Sequence, residues 1–77
     1  MEFVPSKHWK IQRKFRPDIT DEAILYAIKN SDELRDEYWP DALNAMSRVP
    51  PSGRILKVVY KRISSVKIKL ITAFWLD

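Results

Sequence analysis

Between Arg54 and Trp75 the chain reads as two runs of alternating side chains broken at Ser64-Ser65, and that pattern leaves little choice of local structure. In the first run Leu56, Val58 and Tyr60 fall on one face, with Ile55, Lys57, Val59 and Lys61 on the other. In the second, Val66, Ile68, Leu70, Thr72 and Phe74 share a face opposite Lys67, Lys69, Ile71, Ala73 and Trp75. Successive side chains leave a strand on opposite sides, so a period of two carried by β-branched and aromatic residues marks strands. The two runs, 54–62 and 66–75, are expected to pair as a β-hairpin. The break holds no Asn-Gly or Asp-Gly to fix a primed two-residue turn.

Only one face of this hairpin carries lysines. The lysine-free face is expected to pack on helices, because burying an unpaired ammonium group is costly. The other is expected to stay half-exposed and basic, with Ile, Val and Trp between the charges. Such a surface suits an anionic partner. It equally suits a solvated sheet face whose lysines discourage edge-to-edge pairing with other chains.

Upstream, Ala42–Val49 reads as a third strand, and Pro50-Pro51-Ser52-Gly53 as the turn that returns the chain to 54. Ser6 is placed to cap a helix over 6–15 that ends before Arg16-Pro17. Its expected apolar stripe is Val4, His8, Ile11 and Phe15. His8 then reads either as a hydrogen-bonded packing residue or as a phosphate-contacting, proton-moving one at the helix–sheet junction. A second helix starts at an N-cap Thr20, with Asp21 and Glu22 where the helix dipole favours acids and Ile24, Ala27 and Ile28 as its stripe. It should end near Asn30-Ser31. Met1–Pro5 either frays or lends a strand to a sheet edge. The acidic stretch 32–41 reads as a solvated loop or a further turn of helix rather than a metal site, since it lacks a fixed ligand spacing. The expected fold is α+β, a single domain over 1–77, with two N-terminal helices on one face of a three-stranded antiparallel sheet.

Composition narrows the chemistry. With one His and no Cys in 77 residues, neither a Cys/His dyad nor a His-rich or thiolate metal site can form. One glycine in all rules out phosphate loops and dinucleotide fingerprints, which need several. No signal-peptide pattern opens the chain, and the longest mainly apolar run, Leu70–Leu76, is far too short to span a bilayer. A cytoplasmic protein is expected, with no membrane contact and no cofactor. The net charge of +4 is segregated: +4 over 1–17, −6 over 18–41 and +6 over 42–77. If the basic segments converge, they make a positive field for phosphates or an acidic partner.

What remains open is metal-independent phosphoryl chemistry on RNA. There the ribose 2′-hydroxyl is an internal nucleophile, so a protein need only orient it, move protons and stabilise charge on the phosphorane. Arg48, Lys57, Lys61 and Lys69 would share the outer sheet face, with Trp75 available to stack a base.

The order helix–helix–three strands, the phrase ITDEAILYAI, and GRILKVVY followed by VKIKLITAFW resemble the small RelE-like and BrnT-like toxins of bacterial type II toxin–antitoxin systems and related short bacterial and phage domains. The resemblance covers residues 7–77 and is one of pattern, without a diagnostic catalytic string. It implies a ribonuclease that cuts mRNA and is inhibited by a cognate antitoxin covering its basic groove. On that footing Arg48 and Lys57 stabilise the phosphate charge, and His8, or Tyr60 in its place, transfers protons. Lys10, Arg13, Lys61, Lys67, Lys69 and Trp75 hold the RNA. The chain stops at Asp77, where many relatives continue into a further functional segment. Two other readings stand beside this one. One is a non-catalytic basic module for nucleic acid or an acidic protein. The other is an interaction protein working through the Tyr38-Trp39 loop and Trp75.

Overall fold

A computed structural model of the chain describes residues 1–76. The chain begins with a strand, β1 (Glu2–Pro5), followed by a short helix, α1 (Lys7–Gln12), which tightens into a 3-10 turn over Arg13–Phe15. The longer helix α2 (Asp21–Lys29) comes next, then a two-residue strand β2 (Leu34–Arg35) and three long strands, β3 (Leu43–Val49), β4 (Arg54–Arg62) and β5 (Lys67–Trp75). All five strands form one sheet in the order β1-β5-β4-β3-β2. β1 runs parallel to β5, and the remaining neighbours pair antiparallel.

The fold class expected from sequence is therefore corrected. The protein is α+β, but its sheet is five-stranded and mixed, not a three-stranded antiparallel meander under two helices. Both additions cap edges. Glu2–Pro5 covers the outer edge of β5 from Lys67 to Leu70, and Leu34-Arg35 pairs with the start of β3. Neither segment is long enough to show a period of its own.

The meander itself has the expected strands, with one change of register. Val59 lies opposite Thr72, but Tyr60 lies opposite Leu70, so Ile71 is the extra residue of a β-bulge. An inserted residue moves everything beyond it to the other face. Ile68 and Leu70 point into the core as the alternation predicts, whereas Ala73 and Trp75 join them and Thr72 and Phe74 join the lysines.

The core lies on the lysine-free face. The α2 stripe of Ile24, Ala27 and Ile28 packs there with Ala45, Leu56, Val58, Tyr60, Ile68 and Leu70, all buried. Burying each large aliphatic chain is worth about 1.5–3 kcal/mol relative to leaving it in water. Thr20 caps α2 as expected, its hydroxyl accepting from Ala23 N at 3.1 Å. Gly53, with φ of +75°, takes the left-handed conformation that the turn into β4 requires, which a side chain would strain.

α1 does not lie over that face beside α2. It packs along β5, where β1 stops, and completes the strand's outer edge. Ser6 Oγ accepts from Trp9 N and donates to Ile71 O, both at 3.0 Å, while Arg16 donates to Ala73 O at 2.9 Å. Buried carbonyls must find donors, and here side chains supply them. The predicted stripe of this helix is likewise corrected. Trp9 is its buried residue at 2% exposure, whereas Ile11 and Phe15 are 54% and 81% exposed. No helix among the described residues is long and apolar enough to cross a membrane.

Candidate nucleic-acid interface

The lysine-bearing face is not the open basic surface that the alternation suggests. Its centre is covered by the segment between β2 and β3, residues 36–41. Asp36 sits against β3 and β4, with Asn44 Nδ2 donating to its Oδ1 at 3.2 Å and Lys57 Nζ 3.6 Å away. Three residues on, Trp39 reaches α1, where its ring lies 5.4 Å from that of His8. Beneath the crossing, Ala42, Val59 and Ile71 form a small buried cluster of their own.

This crossing leaves a pocket of about 170 Å³ on the hairpin side, lined by Ser6, His8, Trp39, Lys61, Lys69 and Ile71. The Ser6 hydroxyl is occupied by its two hydrogen bonds, and the ionisable side chains of the lining are the His8 imidazole and the two ammoniums. Lys61 and Lys69 are direct cross-strand partners and both are exposed. Like charges set opposite one another on a sheet are destabilising by a few tenths to about 1 kcal/mol. Neither lysine forms an ion pair with a carboxylate of the described residues. An anion bound between them would supply the missing counter-charge.

Three residues expected at the site meet in this pocket: His8, Lys61 and Lys69. The others lie elsewhere. Lys57 does not line it; its side chain is 16% exposed and turned to Asp36, with the ammonium 5.8 Å from the centre of the Phe74 ring. Arg48 is exposed on β3 and donates to Gly53 O at 2.9 Å. Lys67 pairs with Glu2 at 3.7 Å. Lys10 and Arg13 are exposed on α1 and its 3-10 extension, away from the pocket lining.

Trp75 is carried by the bulge to the face opposite the lysines, correcting its expected place beside them. Its indole donates to Asp18 Oδ2 at 2.8 Å, and Arg54 lies over its ring at 4.4 Å. Tyr60 is fully buried in the core. Burial pushes its phenol well above the usual range, and the Glu33 carboxylate adds to the shift, so it is held protonated and unsuited to act as a base. Glu33 itself is gripped by Arg62, whose Nε donates to its two oxygens at 2.8 and 3.0 Å.

The sequence reading placed Trp39 in a candidate protein-contact loop, not beside His8, and Asp36 only as one of five acids there. Nothing in the local pattern singles out which acid is buried.

The chain matches no known family, no curated protein and no solved structure.

Proposed function

We propose that this pocket acts on RNA, and that the chain is a metal-independent endoribonuclease of the toxin type. What supports the reading is the meeting of His8 with the unpaired, directly opposed Lys61 and Lys69 beside an aromatic ring. A backbone phosphate seated between the ammoniums would neutralise them, and a neighbouring base would stack on Trp39. The 2′-hydroxyl then attacks the adjacent phosphorus in line. His8 accepts its proton, the P–O5′ bond breaks, and the departing oxygen takes a proton from water. Both lysines stabilise the charge that builds on the phosphorane, where preorganised donors have their largest effect. An acidic antitoxin-like protein is the partner that this basic surface fits.

The test is incubation of purified protein with labelled RNA, with and without a chelator. Cleavage should survive chelation and leave a 2′,3′-cyclic phosphate. RNA that is bound but never cut, with or without added metal, would replace this reading by a non-catalytic binding module using the same pocket.

The pocket also separates lysines that sequence alone groups together. Lys61→Ala and Lys69→Ala should each reduce the slope of log Kd against log salt by about one, because each phosphate contact releases roughly one counterion. Lys67→Ala should leave the slope unchanged, since that ammonium is already paired with Glu2. Fluorescence titrations over a salt series measure all three, and a Lys67 effect as large as the others would return the contact surface to the whole strand.

A further inference from the structure

The crossing segment 36–41 contains no regular element, yet one side chain ties it down. The Asp36 carboxylate is 1% exposed and fully engaged. Its Oδ2 accepts from Tyr38 N at 3.0 Å and Trp39 N at 2.8 Å, which folds the chain back on itself. Its Oδ1 accepts from Asn44 on β3 and faces the Lys57 ammonium on β4. Burial alone would raise its pKa; the hydrogen bonds from Trp39, Asn44 and Tyr38 and the charge of Lys57 outweigh burial and hold it below the usual carboxylate range. A single ionised group thus links the loop to two strands, and the loop delivers Trp39 to His8.

We propose that Asp36 and Lys57 form a latch that sets Trp39 against His8, so that Lys57 serves the pocket as a positioning residue and does not touch RNA. Lys57 already has its counter-ion, and an RNA phosphate could recruit it only by stripping Asp36 of its charge partner. Removing one half of a buried ion pair is far worse than replacing both halves by neutral groups, because the survivor is left charged and desolvated. Asp36→Asn can retain the two backbone hydrogen bonds through its amide oxygen. Asn44 Oδ1, which has no hydrogen-bond partner among the described residues, could then accept from the new amide once Asn44 turns over.

The inference rests on the RNA reading for its binding arm but not for its structural arm. Both are tested with protein carrying fluorotryptophan at Trp9, Trp39 and Trp75, followed by fluorine NMR and by titration with a short oligouridylate. Lys57→Met should move the Trp39 resonance and leave Trp9 and Trp75 in place. It should also weaken oligouridylate binding by the value of one stacked base, about 5- to 150-fold. The double variant Lys57→Met/Asp36→Asn should return both the resonance and the affinity close to wild type.

A double variant with a restored Trp39 resonance but weak binding would overturn the proposal, because Lys57 would then contact RNA directly. An unmoved resonance in Lys57→Met would overturn it too. If Lys57→Met does not fold, Asp36→Asn alone, which leaves the less buried partner unpaired, carries the same comparison against the double variant. Should the wild type bind no oligouridylate, the RNA reading fails, and the resonances still decide whether the latch exists.

Discussion

Single-turnover cleavage by the His8→Ala protein should be about 100- to 10,000-fold slower than wild type, the usual worth of a positioned proton-transfer group. Its thermal melt should be almost unchanged. The imidazole is exposed and touches the fold chiefly through the Trp39 ring at 5.4 Å, so its removal opens no cavity in the core. A packing histidine would show the reverse pattern, with a lowered melting temperature and an intact rate in whatever protein stays folded. RNA affinity separates the two roles further. A group needed only when the proton moves leaves ground-state binding nearly untouched. Rates, melts and titrations on one preparation are sufficient, and a wild-type rate would remove His8 from the reaction.

Trp9→Ala should cost about 3–5 kcal/mol, the range for emptying a buried aromatic site. A domain of this size has a total stability of only about 4–12 kcal/mol at the usual 0.05–0.15 kcal/mol per residue, so the variant should melt far below wild type or fail to fold. Trp9 joins α1 to the main core at 2% exposure, and nothing else on that helix is buried. The informative control is Phe15→Ala on the same segment. At 81% exposure its loss should change stability by less than about 0.5 kcal/mol. Urea melts compare the pair directly. A larger loss at Phe15 than at Trp9 would mean that the sequence stripe through Phe15, and not the Trp9 side, faces the core.

That contrast shows where sequence reading succeeds and where it stops. Long periodic segments were legible: β4, β5 and α2 fall within a residue or two of their expected limits, and Thr20 caps α2 as read, because one buried face imposes its period on many consecutive positions. α1 spans six residues, under two turns, so its 4-3-4 spacing had too few positions to outweigh the burial drive of a single indole. The bulge at Ile71 was invisible for a different reason. Both frames of 71–75 place apolar residues on either face, so nothing in the composition of the strand resists a slip of one. Of the candidate site, strand periodicity placed Lys61 and Lys69 on one face, while their direct opposition comes from the pairing register. The crossing of 36–41 depends on which acid is buried, a question settled by Asn44 and Lys57, which lie on two other strands, outside the acidic stretch itself.

The parallel pairing of β1 with β5 also sets the order in which the molecule can be assembled. β3, β4 and β5 are neighbours in sequence and can form hairpins over short loops, which close quickly and at small entropic cost. The other wall of the pocket comes from the opposite end of the chain, and its anchoring bond joins Ser6 to Ile71, 65 residues apart. On a ribosome, the segment carrying Ser6 and His8 has no partner edge to dock on until β5 has left the exit tunnel. Both the lysine pair and the docking of that segment need β5, but the hairpin closes over the shorter loop, so the two like-charged ammoniums meet before the imidazole is brought beside them. Docking of β1 on β5 is then the step that completes the pocket.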